Sequence, residues 1–436
     1  SAMSAKTLTD WQIVMRSLRA RPLSTWITIG MVATSVALLL VLFGMRTAAR
    51  GAFDRGSGNI HLLVSADPSP LVAVLNGIFY ANAPSNPIAW SKYQSIRGAF
   101  PYQWAIPTQQ GDSYRGSPTM ATSTDFFSKF EPVAGEPWKL ASGKFFERPF
   151  EIVLGSAAAK ASGLRLGQEV FLTHGSGASR EGSEPDEHAG HVHTEYPFKV
   201  VGVLEPTGSA HDRALFIDLE SSWILHAFDR RERAGISGIT TAADLEDDDR
   251  KVTGILLRLP TRPGSDASAA MQQQFDTLRR DTAIVVAQPA QQIQKLFEIV
   301  SNVDGIFIGM AVVVLISSSL STMLALYNSM AARTRQIAVL RVLGASQGRV
   351  FGLVLTESLV ITMAGALSGI VLALLGGIAA SAWLKASIGL VIDPTLDPRS
   401  TVIVLGGAVA LGGIAGILPA WRAYQVPVAD NLRPAA

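Results

Sequence analysis

Four stretches of the chain are almost free of charge over long distances: Leu23 to Met45, Gly305 to Leu326, about Val350 to Trp383 and about Thr401 to Leu418. A helix needs roughly 20 apolar residues to cross a bilayer core, so each stretch predicts a membrane-spanning helix. The third exceeds what one crossing requires and fits a tilted or extended helix. The first is too long and too late for a cleaved leader, with no small-residue cleavage pattern after it, and reads as a retained anchor. Between the first two stretches the pattern changes. IHLLVS, EIVLG, EVFLT, FKVVGVL, ALFIDL, TGILLRL and TAIVVAQ are short runs rich in β-branched and aromatic residues, set between turn residues, and predict strands. Ser156 to Ala161, Leu219 to Phe228 and Ala267 to Arg280 have helical spacing. So does Gln291 to Val300, which leads towards the second apolar stretch as a stalk. The expected fold is an α-helical membrane protein with four transmembrane helices plus an α+β extracytoplasmic domain.

Charge orients these elements. Lys6, Arg16, Arg19 and Arg21 precede the first apolar stretch, Arg333, Arg335, Arg341 and Arg349 join the second to the third, and Arg422 and Arg433 follow the fourth. Basic residues near span ends stay cytoplasmic, which places both termini inside. Arg46, Arg50 and Arg55 oppose this locally, but long domains translocate largely regardless of flanking charge. The expected order is a cytoplasmic amphipathic segment (1–22), a first span (23–46), an extracytoplasmic domain with stalk (47–302) and a second span (303–330). A cytoplasmic coupling segment (331–348), a third span (349–383), an extracytoplasmic loop (384–399), a fourth span (400–420) and a cytoplasmic tail (421–436) complete it. Composition changes this picture little. A net charge of +2 points to no nucleic-acid partner, and the absence of Cys excludes disulfides, thiolate metal sites and Cys nucleophiles. No GxxxxGK[ST] phosphate loop occurs, so the chain reads as a non-enzyme with no cofactor of its own, and ATP hydrolysis falls to another polypeptide.

Several polar positions stand out against this background. The segment ARTRQIAVLRVLGASQGRV, from Ala332 to Val350, carries no acid. Ile337, Leu340, Val342 and Leu343 recur at helical spacing while Arg335 and Arg341 fall largely elsewhere, and Gly344 suits a left-handed cap. Two readings stand: an amphipathic helix that docks a soluble partner, or a basic loop that only sets orientation. Glu357 lies roughly 12 Å along a helix beyond Arg349 at 1.5 Å per residue. An acid at that depth costs several kcal/mol unless paired or hydrated. A polar contact fixing the spans is preferred to a proton relay, because no second acid lies in the apolar runs. Gly365-x-x-x-Gly369 and Gly412-x-x-x-Gly416 put small residues on one helix face, which suits close packing. The loop from Gly175 to Tyr196 gathers His188, His191 and His193 beside Asp186, Glu187 and Glu195. Imidazole and carboxylate together suit Zn²⁺, although the spacing matches no zinc finger or HExxH helix, and a solvated polar loop is the other reading. His174 and His211 could approach that loop in space.

RTRQIAVLRVLGAS followed by FGLVLTESL resembles the coupling segment of the MacB/FtsX-type ABC transporter permeases, and GILPAWRAYQVPVADNLRP is similar to that family's closing stretch. EIVLGSAAAKASGLRLGQEVFL and FKVVGVLEPTG resemble its extracytoplasmic domain. The resemblance implies a MacB-like outer domain and a bacterial inner-membrane location among lipids. It implies as partners an ABC ATPase subunit carrying Mg-ATP, a second permease copy and a periplasmic or outer-membrane component. In that family ATP-driven closure moves the outer domains through the stalks. Arg333, Arg335, Ile337, Leu340, Arg341 and Gly344 stand where the coupling motif stands, and a Glu near the start of the third span, here Glu357, belongs to the pattern. Export or extraction of a periplasmic cargo is the leading expectation, favoured by the size of the outer domain. The alternatives are an FtsX-like signalling permease and, from the three histidines, divalent-metal handling.

Overall fold

The structure, a computed structural model, describes residues 9–84, 86–174, 193–388 and 396–426. Its helices are α1 (Asp10–Arg19), α2 (Pro22–Ser57), α3 (Pro70–Gly77), α4 (Trp90–Ala99), α5 (Asp125–Ser128), α6 (Ser156–Ser162), α7 (Leu219–Arg233), α8 (Met271–Arg279), α9 (Pro289–Val342), α10 (Gln347–Ile388) and α11 (Pro398–Tyr424). The strands are β1 (Leu62–Ser65), β2 (Ile88–Ala89), β3 (Trp104–Tyr114), β4 (Ser117–Thr122), β5 (Leu140–Gly143), β6 (Glu151–Leu154) and β7 (Glu169–Val170). They continue with β8 (Thr173–His174), β9 (Phe198–Leu204), β10 (Leu215–Asp218), β11 (Lys251–Val252), β12 (Gly254–Arg258) and β13 (Val285–Ala287). The chain divides into a helical unit, from residues up to Ala48, Val300–Trp383 and from Asp393 on, and an α+β unit built mainly from Ala49–Ile299.

Among the described residues, four segments are long and apolar enough to cross a membrane: Pro22–Ala48, Pro289–Met330, Gln347–Trp383 and Pro398–Tyr424. Local chemistry sets their starts. Thr9 and Gln12 form a reciprocal capping box on α1. Asp397 accepts from the Ser400 amide ahead of Pro398, whose missing N–H costs nothing in a first turn. The basic segment, whose spacing suggested an amphipathic helix, does not form a helix of its own. It is the last stretch of α9, because between Gly309 and Gly344 the sequence offers neither Gly nor Pro to break the hydrogen-bond ladder.

In the α+β unit eleven of the described strands form one sheet, with the central path β13-β1-β12-β3-β4-β10-β6-β9-β5, while β2 and β11 pair separately. Most neighbours are antiparallel; β4 with β10 and β6 with β9 are parallel. Both faces are covered. Leu62, Val64, Ile255 and Leu257 belong to one core with α4, α7 and α8, and Leu63 and Leu256 to an aromatic core on the other side. A strand buried on both faces reads as a continuous apolar run, which is why LLVS was legible. The longest strand, β3, was not. Thr108, Gln109, Gln110, Asp112 and Ser113 are buried in it, so its pattern is polar although its position is central. Its turn to β4 is Arg115-Gly116 at φ 47° and 81°, the double left-handed turn that matches strand twist.

Candidate functional site

The site lies in the helical unit, around the end of α9. Glu357, nearly three turns into α10, is buried and receives two guanidinium groups. Arg21, just ahead of Pro22, donates to Oε1 at 2.9 Å, and Arg333 of α9 donates to Oε2 at 2.9 Å. Arg333 also donates to the backbone carbonyl of Ser17 on α1 at 3.3 Å and to the Ser17 hydroxyl. One carboxylate thus ties α1, α2, α9 and α10 to a single point. Charge-assisted bonds on both oxygens offset the cost of burying the acid, and the arginines reach it from helix ends. Beside it is a cavity of about 10 Å³, lined among others by Ser24, Thr25, Thr28 and Thr322, which is room for about one water. α1 is fastened a second time, by Asp10 to Arg349 at 2.6 Å.

Beyond Arg333 the remaining turns of α9 divide. Ile337 is buried with Met330, Val350, Val354, Ala420, Ala423 and Val426, a small core shared with α10 and α11. Arg341 is directed to the same side and donates to the Val426 carbonyl at 2.6 Å. Leu340 is half-buried, whereas Arg335, Val339, Val342 and Leu343 are exposed. Leu343, at 78%, is the most exposed of the large apolar side chains described. The helix then closes: the Gly344 amide donates to the Arg341 carbonyl and the Ala345 amide to the Leu340 carbonyl. This is the paired 5→2 and 6→1 pattern of a Schellman ending, and Gly344 takes the left-handed position at φ 98°. The periodicity had grouped Ile337, Leu340, Val342 and Leu343 on one face. The structure brings Ile337 and Arg341 inward and leaves Val339, Val342 and Leu343 outward. Sequence reasoning missed Val339, and its one signal was three apolar residues spaced i, i+3 and i+4 at 339, 342 and 343.

The glycine pairs lie where helices touch. A Cβ at Gly365 or Gly369 would come within 2.7 Å of Val32 or Val36 of α2, and one at Gly412 or Gly416 within 2.0 Å of Thr362 Oγ1 or 2.7 Å of Ser358 Cβ of α10. Hydroxyls add directional contacts: Ser358 donates to the Gly412 carbonyl at 2.7 Å, and Ser35 and Ser318 meet at 3.0 Å. Arg422 of α11 stacks over the Tyr327 ring at 4.1 Å.

The histidine loop gives a different result. His188 and His191 lie outside the described residues. His193 is buried in the α+β unit with Nδ1 3.6 Å from Asp229, not on a solvated loop. His211 is enclosed in the aromatic core. Among the described residues no three His, Cys, Asp or Glu side chains are grouped to hold a metal ion.

Against known proteins, residues 308–428 match the family described as FtsX-like permease C-terminal, and residues 25–278 match that described as MacB-like periplasmic core domain. The chain is 21% identical over 427 residues to the macrolide export ATP-binding/permease protein MacB of Nitrobacter winogradskyi, an alignment covering 95% of this chain and 59% of that protein. It therefore spans less than two thirds of the length of this curated relative. A solved structure of the extracellular domain of the noncanonic ABC-type transporter YknZ from Gram-positive bacteria aligns with 47% of this chain and 96% of its own, at 9% identity and a TM-score of 0.25.

Proposed function

Since the chain belongs to the MacB/FtsX-type family of ABC transporter permeases, we propose that it is a permease subunit that carries ATP-driven motion from a separate ATPase to its α+β domain, which exports or extracts a periplasmic cargo. In this reading the protein sits in the bacterial inner membrane with both termini cytoplasmic, and works with a second permease copy. The exposed end of α9 is the docking point. Val339, Val342 and Leu343 enter an apolar groove of the ATPase, Arg335 meets its acidic rim, and Gly344 turns the chain back towards α10. Glu357 then shares any displacement of α9 with α1, α2 and α10 through Arg333 and Arg21.

The observation that supports this reading best is the Leu343 side chain, 78% exposed at the tip of α9 beside the exposed Val339 and Val342, all three beyond the candidate span that ends at Met330. Exposed apolar groups rimmed by charge mark interaction sites. The test is reconstitution with the ATPase that co-purifies with the chain. Leu343→Glu is expected to abolish both complex formation and permease-dependent change in ATP turnover, while leaving the melting temperature in detergent where it was. Unaltered complex formation and turnover in that variant would remove α9 as the docking element. In the same Cys-free background, Lys139→Cys should react with an impermeant thiol reagent applied from outside, and Gln336→Cys only after the membrane is opened.

A further inference from the structure

The last carbonyls of a helix find no partner within it. At the end of α2, inside the α+β unit, the Gly56 carbonyl takes its partner from far along the chain. It accepts from His211 Nε2 at 3.1 Å, while His211 Nδ1 accepts from the Tyr80 hydroxyl at 2.7 Å. These two bonds fix the neutral ring with its proton on Nε2. Phe126, Phe130 and Trp138 wall the imidazole, with ring centroids 6.0, 5.5 and 5.7 Å away.

The neighbourhood is shaped around this contact. A Cβ at Gly56 would lie 2.4 Å from the Phe79 ring, so the close approach of α2 requires glycine. Tyr80 is left-handed at φ 55°, a conformation rare outside glycine. Arg213 holds it there by donating to the Phe79 and Tyr80 carbonyls at 2.8 and 2.5 Å. Phe79 lies 4.6 Å from Phe53 of α2, and Phe53 meets Phe297 of α9 edge-on at 5.7 Å. The ends of α2 and α9 therefore share an aromatic contact, and α2 has a directional hydrogen bond in addition. Packing alone would be served by a phenyl ring. An imidazole in an aromatic core carries a desolvation cost that only its two hydrogen bonds offset. Aromatic faces permit sliding, whereas a hydrogen bond to a helix-end carbonyl resists displacement along the helix axis. His211 stands on the turn Ala210–Arg213, immediately ahead of β10, which pairs with both β4 and β6.

We propose that His211, oriented by Tyr80, is the positioning residue through which the α+β domain grips the end of α2, so that axial movement of that helix is delivered to β10 and the sheet. The mechanical consequence rests on the permease reading above; the grip itself does not. Two measurements on the full chain separate them. With spin labels at Arg55→Cys and Lys139→Cys and no ATPase present, one narrow distance is expected. His211→Phe, which keeps a ring and removes both bonds, should broaden it. Tyr80→Phe should broaden it less, and His211→Gln, which keeps a donor near the Nε2 position, should restore it. An equally narrow distance in His211→Phe overturns the grip, and where that variant does not fold, Tyr80→Phe compared with His211→Gln decides in the same way. With the ATPase, hydrogen exchange is followed at residues 50–57 and 210–218 with and without ATP. The wild type should change at both, and His211→Phe only at 50–57. The same change at 210–218 in His211→Phe overturns the delivery to β10. No ATP-dependent change anywhere in the wild type instead counts against the permease reading, and the spin-label distances then still judge the grip.

Discussion

Glu357 in the helical unit and His211 in the α+β unit are both buried polar groups on which several elements converge, yet the chain treats them in opposite ways. Glu357 is paired with the guanidinium groups of Arg21 and Arg333, each at 2.9 Å, and part of both arginines still reaches the surface. His211 is held by a hydroxyl and a carbonyl inside aromatic walls, and burial pushes its imidazole down to about 4, an effect only partly offset by the bond to Gly56. A charge can serve as a junction where long cationic side chains reach it from helix ends near water. Deep in an aromatic core the same task falls to a neutral ring, because an unpaired charge there costs too much. The first junction is therefore vulnerable to loss of a partner and the second to acid.

The largest effect should come from breaking the charged junction. Glu357→Ala leaves two partly buried guanidinium groups facing each other, and removing one partner of such a set costs about 3–5 kcal/mol. Denaturation of the full chain in detergent measures it, with Glu357→Gln expected between the variant and wild type. A Glu357→Ala chain as stable as wild type would mean that the four elements are held by packing alone. The neutral junction should respond to pH instead. Its folded pKa lies below the ordinary histidine value of 6.5, so its stability contribution is complete above that value and falls away as pH drops towards about 4. The loss by pH 4 is about 3 kcal/mol. Carboxylates titrate in the same window, so the relevant quantity is the difference between wild type and His211→Phe. If the two lose stability in parallel on acidification, His211 is not the acid-sensitive group. The smallest contrast sharpens the view that helix contact in the helical unit is a matter of steric fit. Gly412→Ala places a methyl group 2.0 Å from Thr362 Oγ1, whereas a Cβ at Gly406 meets nothing within 4 Å. Overpacking of this kind costs about 1–3 kcal/mol; Gly406→Ala should stay within about 0.5 kcal/mol of wild type. Equal melting temperatures for the two variants would show that the helices separate to make room.

Legibility in the sequence followed how far each signal depended on local pattern. The apolar stretches, LLVS, FKVVGVL and the ending at Gly344 could be read because bilayer-length apolar runs, buried strands and helix stops have local signatures. The hairpin of β3 and β4 could not, since its buried Gln109 and Gln110 are satisfied by distant partners: the Gln110 side-chain amide donates to the Gly77 carbonyl, and its backbone amide donates to the Thr253 hydroxyl. Glu357 stood out as a costly acid, but Arg21 lies 336 residues away and no spacing rule pairs the two. His193 and His211 show the limit of another kind of signal. Proximity in sequence and chemical type allowed them to be grouped at one loop, whereas the fold buries these two at separate places, and His188 and His191 lie outside the described residues.

By itself, then, the sequence determined which segments are apolar enough to leave water, where helices start and stop, and which residues are expensive to bury. Those properties depend on composition over a few turns of chain and on the fixed geometry of the backbone. Only the tertiary structure decided which partners repay the expensive residues and which of the apolar positions near the end of α9 face inward. Ile337 and Val342 have the same chemistry and lie five residues apart, and nothing local distinguishes them. The difference comes from α10 and α11, whose Val350, Val354, Ala420 and Ala423 cover Ile337 and leave Val342 and Leu343 exposed.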